Sequence, residues 1–307
     1  MIYLIEQIYI ALMLSSNYIL IAVGFTLFFG AINIVHFSHG DVAMIGSFIG
    51  IILYTLADLS GIHRYLPPMI VNSCIVVLTL GLVGILGTFF ERTVIKPFRF
   101  SPMLITLVAT VALGIVIREF VRLFYPQGSN PQLFPKIFPQ TAFQFGKLIF
   151  LHEHLIILGI GILLIAAMFL FINHTRIGLA IRAISQDIEA ASLMGINFDI
   201  VIAITFLIGS ILAGVAGILT GVYFNVVKFD IGLMAGIKGF SAAVVGGLGN
   251  FYGAILGGLL LGFAESFVSA FIPGGSPYKD VCAFTIVIFF LIFRPSGIVG
   301  EIKYKKV

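Results

Sequence analysis

The sequence predicts an all-α integral membrane protein of about eight or nine transmembrane helices, some short or broken, with a candidate internal repeat. Two observations carry this. The 307 residues are 60% hydrophobic and only 10% charged, with a mean hydropathy of +1.16, whereas soluble domains carry about 25% charged residues. The apolar residues also fall in runs of roughly 20, the length a helix needs to cross the hydrocarbon core. A lone strand in lipid would leave its backbone polar groups unpaired, so helices are the spanning element.

The first span is expected from about Ile8 to Phe29. A break follows at Asn33–Asp41, containing His36, Ser38 and His39. It is too polar for the middle of a lipid-facing helix and too apolar for a free loop. The second span, Val42–Ala57, then reads as short, and short or interrupted helices are where transporters build sites. The plainer reading of the break is an irregular surface connection.

Pro67-Pro68 opens a third span to Phe90, and Arg92, Lys96 and Arg99 form a basic turn behind it. Ser101-Pro102 starts the fourth span. It ends near Arg118, Glu119 and Arg122, which can pair along one face as an outer interfacial anchor. The segment 124–153 carries four prolines (Pro126, Pro131, Pro135 and Pro139) and reads as an external cap. The fifth span covers His154–Ile172.

A charged loop, 173–199, separates the fifth span from the sixth. Ile177, Ile181, Ile184 and Ile188 recur in it at helical spacing on an otherwise polar segment. Ser185 is placed to cap a helix from Gln186 to Met194, and Gly195 to end it with Ile196 packing back. The stripe has two readings: a helix packed on the lipid interface or its own subunit, or a knob that docks into a partner's groove. The second is favoured, because a partner groove would account for the stripe.

The sixth span, Ile200–Val222, holds the small-xxx-small pattern Gly217–Gly221. Residues 235–272 are apolar but interrupted by Gly246, Gly247, Gly249 and Asn250. They read as two short helices meeting at Gly249–Asn250. The last span runs Asp280–Phe293, and the tail carries Lys303, Lys305 and Lys306. Ser38–Gly46 and Gly249–Gly257 can be laid over one another, which is the hint of a repeat.

The basic turn, the 173–199 loop (Arg176 and Arg182) and the tail hold three, two and three of the 17 Lys and Arg residues. By the positive-inside rule these segments are cytoplasmic and the N-terminus and cap are outside. The net charge of +4 is spread over several loops and does not suggest nucleic-acid binding. Cys74 and Cys282 lie in apolar runs and read as buried small residues rather than a disulfide. No basic leader precedes the first span, so no cleavable signal peptide is expected.

Candidate chemistry is sparse. His36 and His39 stand at i, i+3 with Asp41 near, but a third ligand for a metal is not evident, so a hydrogen-bonded cluster lining a path or locking the break is preferred. Glu265 lies deep in an apolar run. It reads either as a functional carboxylate or as one satisfied near the interface or against small-residue helices. No P-loop, His-Glu-x-x-His or Gly-x-Ser-x-Gly pattern occurs, so any ATP would be hydrolysed elsewhere.

Several stretches resemble the branched-chain amino-acid ABC importer permeases of the LivH type. They are Gly30–Asp41, Lys96–Arg99, Thr175–Gly178 through Gly195–Asn197, Gly236–Phe240, Gly246–Gly249 and Phe293–Gly297. The resemblance covers nearly the whole chain in order and implies one transmembrane permease domain over 1–307, with 173–199 as the ATPase-docking loop. It implies a bacterial inner-membrane subunit, with that loop and the C-terminus cytoplasmic. Its partners would be a second permease, expected to be a different paralogue, two ATPase subunits that bind ATP and Mg, and a periplasmic substrate-binding protein. This chain would hold no cofactor of its own and catalyse no reaction.

Carried over by residue, Glu189, Ala190, Ala191 and Gly195, with Arg182 beside them, become the docking element. Asn33, His36, Ser38, His39, Asp41, Gly246, Gly247, Gly249, Asn250 and Glu265 become candidates for the translocation path. The implied substrates are leucine, isoleucine and valine, with urea and short amides in a sister branch. One departure is Asn225–Asp230, where relatives show an Asn-Pro-type turn. A stand-alone ion-coupled carrier using Glu265 or Asp41, or an intramembrane enzyme using His36, His39 and Asp41, are the rival classes.

Overall fold

The computed structural model describes residues 2–139, 141–145 and 148–300. The tail lysines and Lys147 therefore lie outside the described residues. Among these residues, eight helices are long and apolar enough to cross a membrane, and one apolar helix is shorter.

Helix α1 (Ile2–Ile32) is the central post. Its length of 31 residues corresponds to about 46 Å at 1.5 Å per residue. Met13, Leu20, Ile21 and Phe25 on it are almost wholly buried. It ends at Asn33, whose φ of 54° is left-handed and whose N–H still donates to Phe29 O at 2.8 Å. An Asn that tolerates this conformation is a natural helix stop.

Here the structure corrects the expected short second span. Helix α2 runs His39–Leu59, 21 residues, or about 31 Å, so the irregular segment shrinks to residues 33–38. The polar residues His39, Gly40 and Asp41 that read as a break form the first turn of the helix. Asp41 finds its partner inside the protein, in Arg118, and the buried His39 packs among aromatic rings.

Helices α3 (Pro68–Phe90) and α4 (Met103–Phe124) start just after prolines, as expected. Arg118 reaches across to α2, while Arg122 pairs with Glu119 at i, i+3. Of the expected surface anchor, only the latter pair stays at the surface. A cap follows. Strand β1 (Gln132–Leu133) and a hairpin of β2 (Ala142–Phe145) and β3 (Leu148–Leu151) precede α5 (His152–His174).

The 173–199 loop holds two helices rather than one, α6 (Arg176–Gln186) and α7 (Ile188–Leu193). Thr175 and Asp187 are the N-caps; Ser185, expected in that role, instead donates its hydroxyl to Arg182 O at 2.7 Å inside α6. Helix α8 (Phe198–Phe224) crosses back and leads to β4 (Val226–Val227), which pairs antiparallel with β1 and ties the cap to the end of α8.

Helix α8 meets α2 at close range. A Cβ on Gly217 would fall 1.9 Å from Ala43 O, and Ser47 Oγ donates to Gly217 O at 2.7 Å. Gly221, the second member of that small-residue pair, faces Phe134 of the cap instead of a helix.

The helices expected to meet at Gly249–Asn250 do so, as α9 (Ile231–Gly246) and α10 (Phe251–Phe271), but only α9 is short; α10, at 21 residues, is long enough to span. Asn250 Oδ1 accepts from Gly253 N at 3.1 Å and caps α10. After α11 (Lys279–Phe293) the chain returns to this turn, and Ile298 N and Val299 N donate to Val245 O and Gly246 O at 2.9 and 3.0 Å. Carbonyls that a helix end leaves open are satisfied in this way. Lys96 and Arg99 of the basic turn both pair with Asp199, so that turn and the 173–199 loop share one end of the molecule, opposite the cap.

Candidate functional site

Three places hold the candidate residues. The first is the α6–α7 pair. Asp187 Oδ1 accepts from Glu189 N and Ala190 N at 2.9 and 3.0 Å, which fixes the start of α7. Its end is a Schellman turn. Gly195 has φ 82°, Gly195 N donates to Ser192 O, and Ile196 N donates to Ala191 O. Gly195 and Ile196 thus act as the sequence suggested.

The isoleucine stripe of α6 does not face outward. Ile181 and Ile184 are 5% and 2% exposed and pack with Ala31 of α1, Val201 of α8 and Phe171 of α5. Ile188, the last residue of the stripe, is 39% exposed, and the most exposed apolar side chains are at the tip, Leu193 and Met194 at 88% and 83%; Glu189, Ala190 and Arg182 are also exposed and Ala191 is buried. The element is therefore an anchored helix carrying an exposed apolar tip.

The second place is the segment after α1. His36 and His39 are buried and stand 5.1 Å, ring centre to ring centre, from Phe28. Phe25 and Phe206 complete the enclosure. Ser38 Oγ lies 3.3 Å from the His36 ring. Asp41 turns away from both imidazoles: Arg118 Nη1 donates to each of its carboxylate oxygens at 3.1 Å. Asn33 is exposed at the end of α1. Gly246, Gly247, Gly249 and Asn250 form the α9–α10 turn, with Gly249 beside Phe29 and Gly247 against residues 296–300.

The third place is a cavity of about 730 Å³ between α1, α8, α9 and α10. Of the path candidates read from the sequence, Glu265 alone lines it; the two histidines, Asp41 and the α9–α10 turn do not. Its polar wall includes Asn17, Tyr18, Thr220, Lys238 and Ser266. Glu265 is 2% exposed and stands 14 residues into α10, about 21 Å from its start and well inside the span.

Lys238 Nζ lies 2.9 Å from Glu265 Oε1 and 2.6 Å from Asp280 Oδ1. Tyr18 donates its hydroxyl to Glu265 Oε2 at 2.7 Å. One ammonium thus faces two carboxylates, one buried inside α10 and one, 37% exposed, in the first turn of α11. Sequence reasoning isolated Glu265 but missed Lys238, Tyr18 and Asp280. The signal available was a lone Lys and a lone Glu inside two consecutive apolar helices, because such opposite charges persist in a membrane mainly when they meet.

The chain matches a family model described as "Branched-chain amino acid transport system / permease component" over residues 7–291. It is 37% identical to the high-affinity branched-chain amino acid transport system permease protein BraD of Pseudomonas aeruginosa, covering 99% of this chain and 98% of that one. It is 35% identical to the permease protein LivH of Escherichia coli K12, again over 99% and 98%. A probable branched-chain amino acid transport permease protein LivH of Methanocaldococcus jannaschii is 29% identical over 96% and 92%. No solved structure matches the chain.

Proposed function

This chain belongs to the family of branched-chain amino acid transport system permease components, and on that premise we propose that it is the membrane subunit of an ATP-driven importer of leucine, isoleucine and valine. Its partners are a second permease, two ATPase subunits that bind ATP and Mg, and a substrate-binding protein. The 173–199 loop and the C-terminus face the cytoplasm of a bacterial cell, and the cap faces the periplasm.

The observation that carries this reading is the anchored α6–α7 element. Its buried stripe ties it to α1, α5 and α8, so a push on the exposed Leu193–Met194 tip moves spans rather than a loose loop. Glu189 and Ala190 stand in the same short helix as that tip, Arg182 is exposed on α6, and Gly195 sets the turn. Two of the tied helices, α1 and α8, also wall the cavity, through Tyr18 and Thr220. ATP-driven closure of the ATPase pair would thus reach the cavity in two rigid steps, and the spans would alternate between outward-open and inward-open arrangements.

Co-purification with the ATPase subunits tests the docking. A side chain at Gly195 would have nothing within 4 Å on its own subunit, so Gly195→Ala meets only the left-handed backbone cost of about 1–2 kcal/mol. Gly195→Ala is therefore expected to keep assembly, and Gly195→Arg and Glu189→Lys to lose it while the subunit stays inserted. Retention of the ATPase by both charged variants removes the docking role. In vesicles, ATP-dependent uptake of labelled leucine supports the substrate; ATP-dependent uptake of urea instead would keep the class and change the cargo.

A further inference from the structure

The charged floor of the cavity is not charge-balanced. Lys238 carries one positive charge, and Glu265 and Asp280 carry two negative ones within 3 Å of it. Asp280 approaches from α11 and does not line the cavity, whereas Glu265 does. Lys238 Nζ reaches both oxygens of Glu265, at 2.9 and 3.0 Å, and shares its charge with Asp280, so the three groups together carry one net negative charge, and Glu265 is the carboxylate on the cavity wall. Asn17, which also lines the cavity, gives its amide N–H to Thr220 Oγ1 at 2.5 Å and leaves its buried carbonyl oxygen without a hydrogen bond. The net negative charge of the cluster and this open carbonyl oxygen both suit a donor with positive charge.

An excess negative charge at membrane depth is costly unless a cation comes to it. Further out, Lys228 and Lys279 line the same cavity, and Lys228 is exposed. Negative charge is thus in excess only within the Lys238–Glu265–Asp280 cluster, the rim is basic, and apolar Leu14, Ile21 and Met234 lie along the walls. This polarity matches a zwitterion with an aliphatic side chain.

We propose that Glu265, backed by the Lys238–Asp280 pair and joined by the amide oxygen of Asn17, is a membrane-embedded recognition site for the α-ammonium group of the transported amino acid. Tyr18 holds the Glu265 carboxylate in place by its hydroxyl. The inference rests on the reading of this chain as an amino-acid permease and adds a specificity site within the membrane to it.

The test uses the complete transporter in proteoliposomes, with its binding protein, and reads leucine imported per ATP hydrolysed. Glu265→Gln is expected to lower that ratio about tenfold, the equivalent of one lost charge-assisted hydrogen bond. Asp280→Asn leaves Lys238 free to neutralise Glu265 and is expected to lower the ratio comparably. Combining Lys238→Met with Asp280→Asn restores the single uncompensated charge and is expected to recover most of the ratio. A structural role for the cluster gives the opposite order, with the double variant worst.

A wild-type ratio in Glu265→Gln, or no recovery in the double variant, overturns the proposal. So does wild-type uptake that depends on Na⁺ and loses that dependence in Glu265→Gln, since the site would then hold an inorganic cation. If Glu265→Gln does not assemble, the Asp280→Asn comparison decides. Absence of any ATP-dependent leucine uptake in the wild type would instead sink the permease reading itself, a separate outcome.

Discussion

The pairing of Asp41 with Arg118 fixes where the second span begins, and breaking it has a calculable cost. Arg118 Nη1 donates to both carboxylate oxygens at 3.1 Å, a separation at which unit charges attract by roughly 5 kcal/mol in an effective dielectric of 20. The side chains are 3% exposed for Asp41 and 15% for Arg118. Removing one partner strands the other, which costs about 3–5 kcal/mol in buried pairs. The two single variants should differ. Arg118→Met leaves the more deeply enclosed carboxylate alone and belongs near 5 kcal/mol, while Asp41→Asn leaves a long guanidinium that can tilt outward and belongs near 3 kcal/mol.

The double variant strands nothing, so it should be less destabilised than Arg118→Met alone. The chain has no tryptophan, so unfolding in mixed micelles is best followed by the helical circular dichroism signal. Equal single variants whose costs simply add in the double variant would falsify the assignment, because uncoupled residues behave that way.

Two further outcomes follow from the packing. Gly217→Leu must push its Cβ, 1.9 Å from Ala43 O, into backbone that cannot rotate away. It should separate α2 from α8 and destabilise by at least the 1–3 kcal/mol of ordinary overpacking, read in the same micelle titration. Lys96→Ala should leave stability unchanged within error, since the side chains of Lys96 and Asp199 are about half exposed and Arg99 still holds the same carboxylate; a clear loss of helical signal at lower denaturant would contradict this.

Most of the helical frame was legible because span length and proline or glycine punctuation are local properties. Pro68, Pro102 and Asn250 mark helix starts in the structure where they do in the sequence. The start of α2 was misread for a non-local reason. His39 and Asp41 look like a break until Arg118, 77 residues away, and the rings of Phe25 and Phe28 are brought against them. The charged floor was half legible on the same grounds. Glu265 is conspicuous in an apolar run, but its meaning depends on Tyr18, Lys238 and Asp280 from three other helices.

The isoleucine stripe of α6 shows how one pattern carries two physical meanings. Amphipathicity states that a face will be buried and leaves open by what. Here Ile181 and Ile184 are buried by α1, α5 and α8, and the most exposed apolar side chains, Leu193 and Met194, lie in the following turn, which has no periodic signal. A docking element that used its stripe on the partner would hang from its own subunit by two loop ends and would flex under load. One that uses the stripe at home and presents Leu193 and Met194 from a capped, glycine-terminated turn transmits displacement to the spans. On the proposed docking, the internal stripe is what would pass force to the spans, and an Ile184→Asn exchange would be expected to uncouple ATP hydrolysis from uptake even where the ATPase still binds.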